Sequence, residues 1–206
     1  MFKEAVSEQT RHNLELLTGE GRLQKFYLAG GTAAALQIGH RVSEDLDFFS
    51  ETEFSVEGLI TALKVLGDLI IDKKLEDTLL GNLNGTKVSF FYYPYPLIGE
   101  FGNYLGVRLA SLADIACMKI DTIASRGLKR DFVDLYYISQ KTGQRLADWL
   151  ELFQRKYQGI RYNLNHIKKS LTYFENAEDD PIPHMLRQDF SWGDVKQFFI
   201  EEIKHS

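Results

Sequence analysis

Asp45 and Asp47, in the run Ser43-Glu44-Asp45-Leu46-Asp47-Phe48-Phe49, are the first residues of this chain whose type and spacing could do chemistry. They stand where the chain enters an apolar stretch that reads as a strand. Side chains two apart on a strand point to one face, so both carboxylates can converge on one cation. Mg²⁺ suits such a pair, because it commonly takes one or two carboxylates together with the phosphates of a substrate. Acids at this spacing also occur at strand ends as turn caps or solvated edges. The pair alone does not choose between these readings.

A glycine turn upstream changes the balance. Gly30-Gly31-Thr32 joins the apolar run Phe26-Tyr27-Leu28-Ala29, a short buried strand, to an alanine-rich helix over residues 32–38. Glycine lets backbone amides approach a phosphate closely, and a helix N-terminus adds partial positive charge there. Thr32 contributes a hydroxyl, whose other role is simply to cap the helix. Strand, Gly-Gly-Thr, helix, then a strand with two acids is far more specific than either feature by itself. Two other phosphate motifs fail: there is no Gly-Lys-Ser/Thr ending for a P-loop, and the turn lacks the three spaced glycines of a dinucleotide fingerprint.

The string from Gly30 through His40-Arg41-Val42-Ser43-Glu44-Asp45-Leu46-Asp47-Phe48-Phe49 resembles the first motif of the AbiEii/AbiGii toxin family of nucleotidyltransferases, within the polymerase-β-like superfamily. The family pattern is a glycine turn, a helix, and an Arg-x-Ser-x-Asp-x-Asp segment leading into an aromatic strand end. The resemblance implies that Asp45 and Asp47 bind a metal, Mg²⁺ or else Mn²⁺. It also implies that Gly30, Gly31 and Thr32, with Arg41 and Ser43, hold nucleotide phosphate. Arg41 has an alternative, an ion pair with Glu44 or Asp45.

A second informative stretch is Ser111–Ser139. Leu112, Ile115, Ala116, Ile120 and Ile123 make one apolar helix face, and Lys119 falls in its middle. A lysine there must snorkel out, pair with an acid, or meet an anionic ligand, since an unpaired buried ammonium is costly. Arg126 lies two turns on, on the same side. Asp131 and Asp134 share one face of the next helix, where Asp131 is also well placed to stabilise the helix N-terminus. The resemblance extends through Lys119, Arg126 and Arg130-Asp131-x-x-Asp134-Leu135-Tyr136. It implies that Lys119, Arg126 and Arg130 contact triphosphate and that Asp131, rather than Asp134, completes the catalytic acidic set. Many enzymes of the superfamily carry a third carboxylate on a later strand. The corresponding segment here, Gly85-Thr86-Lys87-Val88-Ser89-Phe90-Phe91, has no acid.

The elements that must position these residues follow from periodicity. Helices are predicted over 3–18 and 56–66, and strands over 46–49, from Ile70, over 87–93 and over 107–109, with a tight turn at Asn84-Gly85. Helices are then predicted over 111–125, 130–140, 144–157, 163–175 and 191–204. This is an α/β (α+β) chain: a nucleotidyltransferase-like mixed sheet flanked by helices over 1–105, followed by a C-terminal helical bundle over 106–206 packed on that core. Phe90-Phe91-Tyr92-Tyr93 reads as sheet core and edge rather than a base platform.

Bulk properties narrow the setting. At 206 residues and 44% apolar content the chain can bury a core, and its net charge of −5 argues against nonspecific coating of nucleic acid, so no double-stranded DNA partner is expected. The lone Cys117 allows no internal disulfide and suits a reducing cytoplasm. No apolar run approaches the ~18 residues of a membrane span, and the N-terminus lacks the apolar region of a secretory signal.

The predicted activity is transfer of a nucleoside monophosphate from a nucleoside triphosphate to a hydroxyl of RNA, such as a tRNA end, or of protein. By resemblance this is the toxin of a toxin–antitoxin pair with a separate antitoxin partner. Arg155-Lys156, Arg161 and Lys168-Lys169, interleaved with Tyr157, Tyr162 and Tyr173, suit single-stranded RNA, but read more simply as a solvated helical face with packed tyrosines. The alternatives are a non-catalytic nucleotide-binding relative acting through a protein partner and, less well matched, a sugar-nucleotide transferase that uses its paired acids to hold a metal.

Overall fold

The structure, a computed structural model, describes residues 1–21 and 23–205. Its chain order is α1 (Glu8–Thr18), β1 (Tyr27–Leu28), α2 (Gly30–Ile38), β2 (Leu46–Ser50), α3 (Val56–Lys64), β3 (Leu69–Lys74), β4 (Thr78–Leu83), β5 (Thr86–Tyr92), β6 (Gly102–Tyr104) and β7 (Val107–Leu109). Six helices follow: α4 (Leu112–Ser125), α5 (Lys129–Thr142), α6 (Leu146–Lys156), α7 (Leu164–Ser170), α8 (Glu175–Asp179) and α9 (Trp192–Lys204). The described strands form one mixed sheet in the order β3-β4-β5-β2-β1-β7-β6.

Alternation along the two central strands gives the sheet its two faces. Leu46, Phe48 and Ser50 of β2 are buried while Asp47 and Phe49 are half-buried on the other side. In β5, Val88 and Phe90 join the core, and Phe48 stacks on Phe90 with ring centroids 5.0 Å apart. The strands run parallel, with Asp47 opposite Ser89 and Phe49 opposite Phe91. A period of two therefore places Asp47, Phe49, Ser89 and Phe91 on one face. Parallel pairing requires a long crossover, supplied here by α3 and the β3–β4 hairpin.

Around that sheet, α2 packs on α4 and α5, α6 on α4, and α9 on α5 and α6. The small side chains Ala33, Ala34 and Ala35 of α2 are fully buried, which allows this close approach. A boundary at residue 105 falls inside the β6–β7 hairpin, and β7 pairs with β1, so the helical half contributes a strand to the sheet.

Several expected elements are shifted for local reasons. The opening helix is broken: Val6 is extended, and Ser7 captures the Thr10 amide at 3.0 Å to begin α1 afresh. Gly30 and Gly31 form the first turn of α2 rather than a loop before it. The helix expected over 163–175 stops at Ser170, where the Thr172 hydroxyl bonds to the Lys169 carbonyl at 3.1 Å and tightens the chain. Beyond α8, residues 180–187 form an extended strap, with Val42 donating to the His184 carbonyl and Leu186 donating to that of His40.

Candidate active site

A cleft of about 840 Å³ opens between the α2–β2 unit, the β5 face, the helices α4 and α5, and the strap. Gly30, Gly31, Arg41, Ser43, Asp45, Asp47, Lys119, Arg126 and Arg130 all line it. The glycine turn, the acid pair and the helical cations, spread over a hundred residues of sequence, are thus brought together. Thr32 sits behind the wall. It is buried, and its hydroxyl bonds to the Asp45 carbonyl and to Ser43 Oγ. It therefore anchors the acid-bearing segment and does not cap α2, whose N-terminus has no side-chain cap.

The two glycines are required by what lies against them. Gly30 has a φ of +65°, and a Cβ there would lie 3.1 Å from Asp47 Oδ2. A Cβ on Gly31 would lie 2.1 Å from Arg41 Nη2, an impossible contact. Any side chain at residue 31 would displace the arginine that crosses the helix start.

The acids fall into two environments. Asp45 is exposed and Asp47 half-buried on the cleft floor. Desolvation raises the pKa of Asp47, and the charge of Asp45 adds to that. A hydrogen bond from Ser89 and the charges of Lys119 and Arg126 act in the opposite sense without overcoming it. Among the described residues neither acid has an ion-pair partner within bonding distance. Two neighbouring carboxylates so placed, one of them energetically disfavoured as an anion, have the donor chemistry of a site for a hard divalent cation. The described residues contain no cluster of three or more His, Cys, Asp or Glu side chains able to hold a metal, so the remaining ligands would be substrate oxygens and water.

Asp131 and Asp134 are fully buried and wholly occupied by cations. Arg41 forks onto Asp134 at 2.7 and 3.0 Å, while Lys119 Nζ reaches Asp134 Oδ2 at 2.6 Å and Asp131 Oδ1 at 2.9 Å. Arg126 Nε donates to Asp131 Oδ2 at 2.9 Å. Burial alone would raise both carboxyl groups. The charges of Arg41 and Lys119 hold Asp134 well below the usual range, and those of Lys119 and Arg126 lower Asp131. Burial lowers the pKa of His40, and its Nε2 lies 2.8 Å from Asp134 Oδ1. An ionised carboxylate only accepts, so this nitrogen carries the proton.

Asp131, expected to complete the catalytic acidic set, commits both oxygens to Lys119 and Arg126. Of the outcomes open to Lys119 the structure shows pairing with acids: it is buried, and its partners are the two acids of α5. Arg41 pairs with Asp134, not with Glu44 or Asp45. Arg130 is half-buried in the cleft wall and forms no ion pair among the described residues.

Three contributors escaped the sequence reading. Asp134 is the hub that holds Arg41 and Lys119, and which acid of α5 would face α2 depended on a packing angle. Phe49 and Phe91 lie on the cleft floor because of the β2–β5 register. Asp180–His184 form a wall of the cleft, with Lys129 Nζ holding the Asp180 carbonyl at 2.6 Å. By contrast the basic and aromatic stretch of the C-terminal half is not a continuous surface. Lys156 is buried on Asp114 at 2.7 Å and Tyr157 is buried against Phe153.

Comparison with known proteins matches a family model and the fold. Residues 15–98 and 92–191 match the family described as Nucleotidyl transferase AbiEii toxin, Type IV TA system. An uncharacterised protein of Aquifex aeolicus (strain VF5) is 39% identical over 208 residues, covering 97% of this chain and 96% of its own length. The crystal structure of JHP933 from Helicobacter pylori superposes with a TM-score of 0.55 at 18% identity, covering 97% of this chain and 92% of its own. The crystal structure of ANT(2")-Ia with adenylyl-2"-tobramycin gives 0.56 at 15% identity over 73% of this chain and 99% of its own. At such identities the structural matches establish the fold. Among the described residues, no helix is long and apolar enough to cross a membrane.

Proposed function

This chain belongs to the AbiEii family of nucleotidyl transferase toxins, and from that premise we propose that it moves a nucleoside monophosphate from a nucleoside triphosphate to a hydroxyl of RNA, with Mg²⁺ or Mn²⁺ held by Asp45 and Asp47. The observation that carries the reading is a contrast of charge across one cleft. An acid pair that forms no ion pair among the described residues faces three cations, Arg41, Lys119 and Arg126, gripped by two buried acids. The surplus positive charge is directed at the place where a triphosphate bound to the acid pair would lie.

Each residue then has a task. The first amides of α2, at Gly30 and Gly31, and the Ser43 hydroxyl are donors for phosphate oxygens. Lys119 and Arg126 face the leaving pyrophosphate, with Arg130 as an uncommitted third cation. Arg41 extends the same field from the α2 side. Asp131 and Asp134 are positioning residues: they fix cations whose rotamers would otherwise be free, so little reorganisation is needed as charge develops. Ser89 orients the Asp47 carboxylate. A divalent cation bound there supplies neutralisation of phosphate charge and lowers the pKa of the attacking hydroxyl. We further propose a cytoplasmic setting and a separate antitoxin partner, on the strength of family membership and the lone cysteine.

The test is incubation of purified protein with labelled nucleoside triphosphates, a divalent cation and total cellular RNA. Label should enter RNA with the wild type and not with Asp45→Ala. Label on protein instead would overturn the RNA acceptor. A nucleotide-induced rise in melting temperature without pyrophosphate release would instead support a non-catalytic nucleotide-binding protein.

A further inference from the structure

The cleft floor changes character along its length. Lys87 of β5 and Asp45, just before β2, line one end; next come Asp47 and Ser89, paired in register; then Phe49 and Phe91, also paired. Each step along a strand face is two residues, about 7 Å. The rings of Phe49 and Phe91 lie 5.2 Å apart and 28° from parallel, and Tyr93 meets Phe49 edge-on at 5.3 Å. The two phenylalanines are not equivalent. Both are half-buried, but Phe49 packs against the apolar core and stacks on Tyr27 at 6.0 Å, whereas Phe91 lies outside that core. Its partner on the other side, Thr78 of β4, is too small to cover a ring. Half-buried Phe91 therefore lines the cleft one register step beyond the acid pair.

We propose that Phe91, backed by Phe49, is a stacking platform for the terminal nucleobase of a single-stranded RNA acceptor, an inference that rests on the nucleotidyl-transfer reading of the same cleft. Three observations converge on the acceptor. Arg41 lies against the first turn of α2 beside Asp47, and the charges of Lys119 and Arg126 bear on Asp47, which assigns the carboxylate end to triphosphate. Phe49 and Phe91 stand one register step beyond Asp47 and Ser89, at the other end of the floor. In-line displacement brings the acceptor hydroxyl from the side opposite the leaving pyrophosphate, which is the aromatic side. The register pair beyond Asp47 and Ser89 offers rings and no acid, which suits the face of a base and gives a polycationic acceptor nothing to pair with. A base stacked there would carry its own ribose hydroxyl back towards Asp45 and Asp47.

Binding of a short single-stranded RNA with a free 3′ hydroxyl and a 5′ fluorophore, followed by anisotropy, tests this. Binding of each nucleoside triphosphate with Mg²⁺ is measured in parallel on the same proteins. Phe91→Leu should weaken RNA binding roughly five- to 150-fold, the range for loss of one base–aromatic stack, and leave triphosphate binding and melting temperature unchanged. Phe91→Trp, which keeps a flat ring, should restore RNA binding. Unaltered RNA affinity in Phe91→Leu overturns the platform. So does a parallel loss of triphosphate affinity, which would place the incoming nucleotide's base on the ring, and so does wild-type binding to a protein acceptor but not to RNA. A fall in melting temperature in both variants that tracks lost RNA binding would make the ring merely structural. If the wild type neither binds triphosphate nor transfers it, the reading of the whole cleft falls, separately from the platform.

Discussion

Two pairs of aspartates meet at one cleft, and their difference explains its design. Asp45 and Asp47 are two apart at the start of a strand, line the cleft, and form no ion pair among the described residues. Asp131 and Asp134 are three apart on a helix, fully buried, and hold three cations between them. A buried carboxylate is tolerable only when paired and hydrogen-bonded. The helical pair meets that condition within the protein. The strand pair does not, which leaves its negative charge available to something that arrives from outside. The same residue type is thus structural in one place and ligand-seeking in another, and the number of cations within reach is what separates them.

The strongest way to break this contrast is Asp134→Asn. It leaves Arg41 and Lys119 buried with one formal charge fewer between them, and should cost about 3–5 kcal/mol. The midpoint of urea unfolding measures it, and a loss under about 1 kcal/mol, the value of an exposed pair, would show that Asp134 is not the hub. Asp47→Asn should do the opposite to stability. An acid whose folded-state pKa is raised binds its proton more tightly folded than unfolded, so its ionised form weakens the fold above the ordinary aspartate range. The metal-free variant should therefore melt higher than the wild type at neutral pH, with the gap closing below about pH 3.9. Nucleotidyl transfer by the same variant should fall about 10²–10³-fold. A variant that melts lower while keeping its activity would place Asp47 with the structural pair.

The smallest effect sharpens the contrast through His40. Its folded pKa is lowered by burial, so below about pH 6.5 the unfolded chain gains a proton that the native state refuses. Stability should fall from there at up to about 1.4 kcal/mol per pH unit for one proton, before the carboxylates of Asp131 and Asp134 begin to protonate. In His40→Gln, whose amide can still donate to Asp134, that early slope should vanish. Unfolding free energies between pH 5 and 8 decide the matter, and an unchanged slope would assign it to another group.

The local parts of the site were legible because they depend on neighbours in sequence. A glycine pair between a buried run and an alanine-rich run, followed by acids two apart, reads directly as turn, helix and strand face. Lys119 was legible as a misfit, since helical periodicity places it among apolar residues whatever surrounds the helix. Its partners were not legible. Asp131 and Asp134 share a helix face, and only the packing of α5 on α2 and α4 directs Asp134 to Arg41 and leaves Asp131 for Arg126. The aromatic run was readable as a strand, but alternation alone does not say which of its faces looks inward. Phe90 went into the core and Phe91 to the cleft because β5 lies beside β2 in one particular register.

The sequence by itself determined which chemical groups this protein can use: the acid pair, the glycine turn, the cations of the helical half and the absence of an acid from the β5 strand. These are set by residue type and by short spacings that backbone geometry converts into faces. Tertiary structure alone decided which acids are neutralised and which remain unpartnered, and it placed Ser89 beside Asp47 and the strap across from both. Ion pairing and burial act over a few ångströms in space between residues as many as 93 positions apart, as Arg41 and Asp134 are.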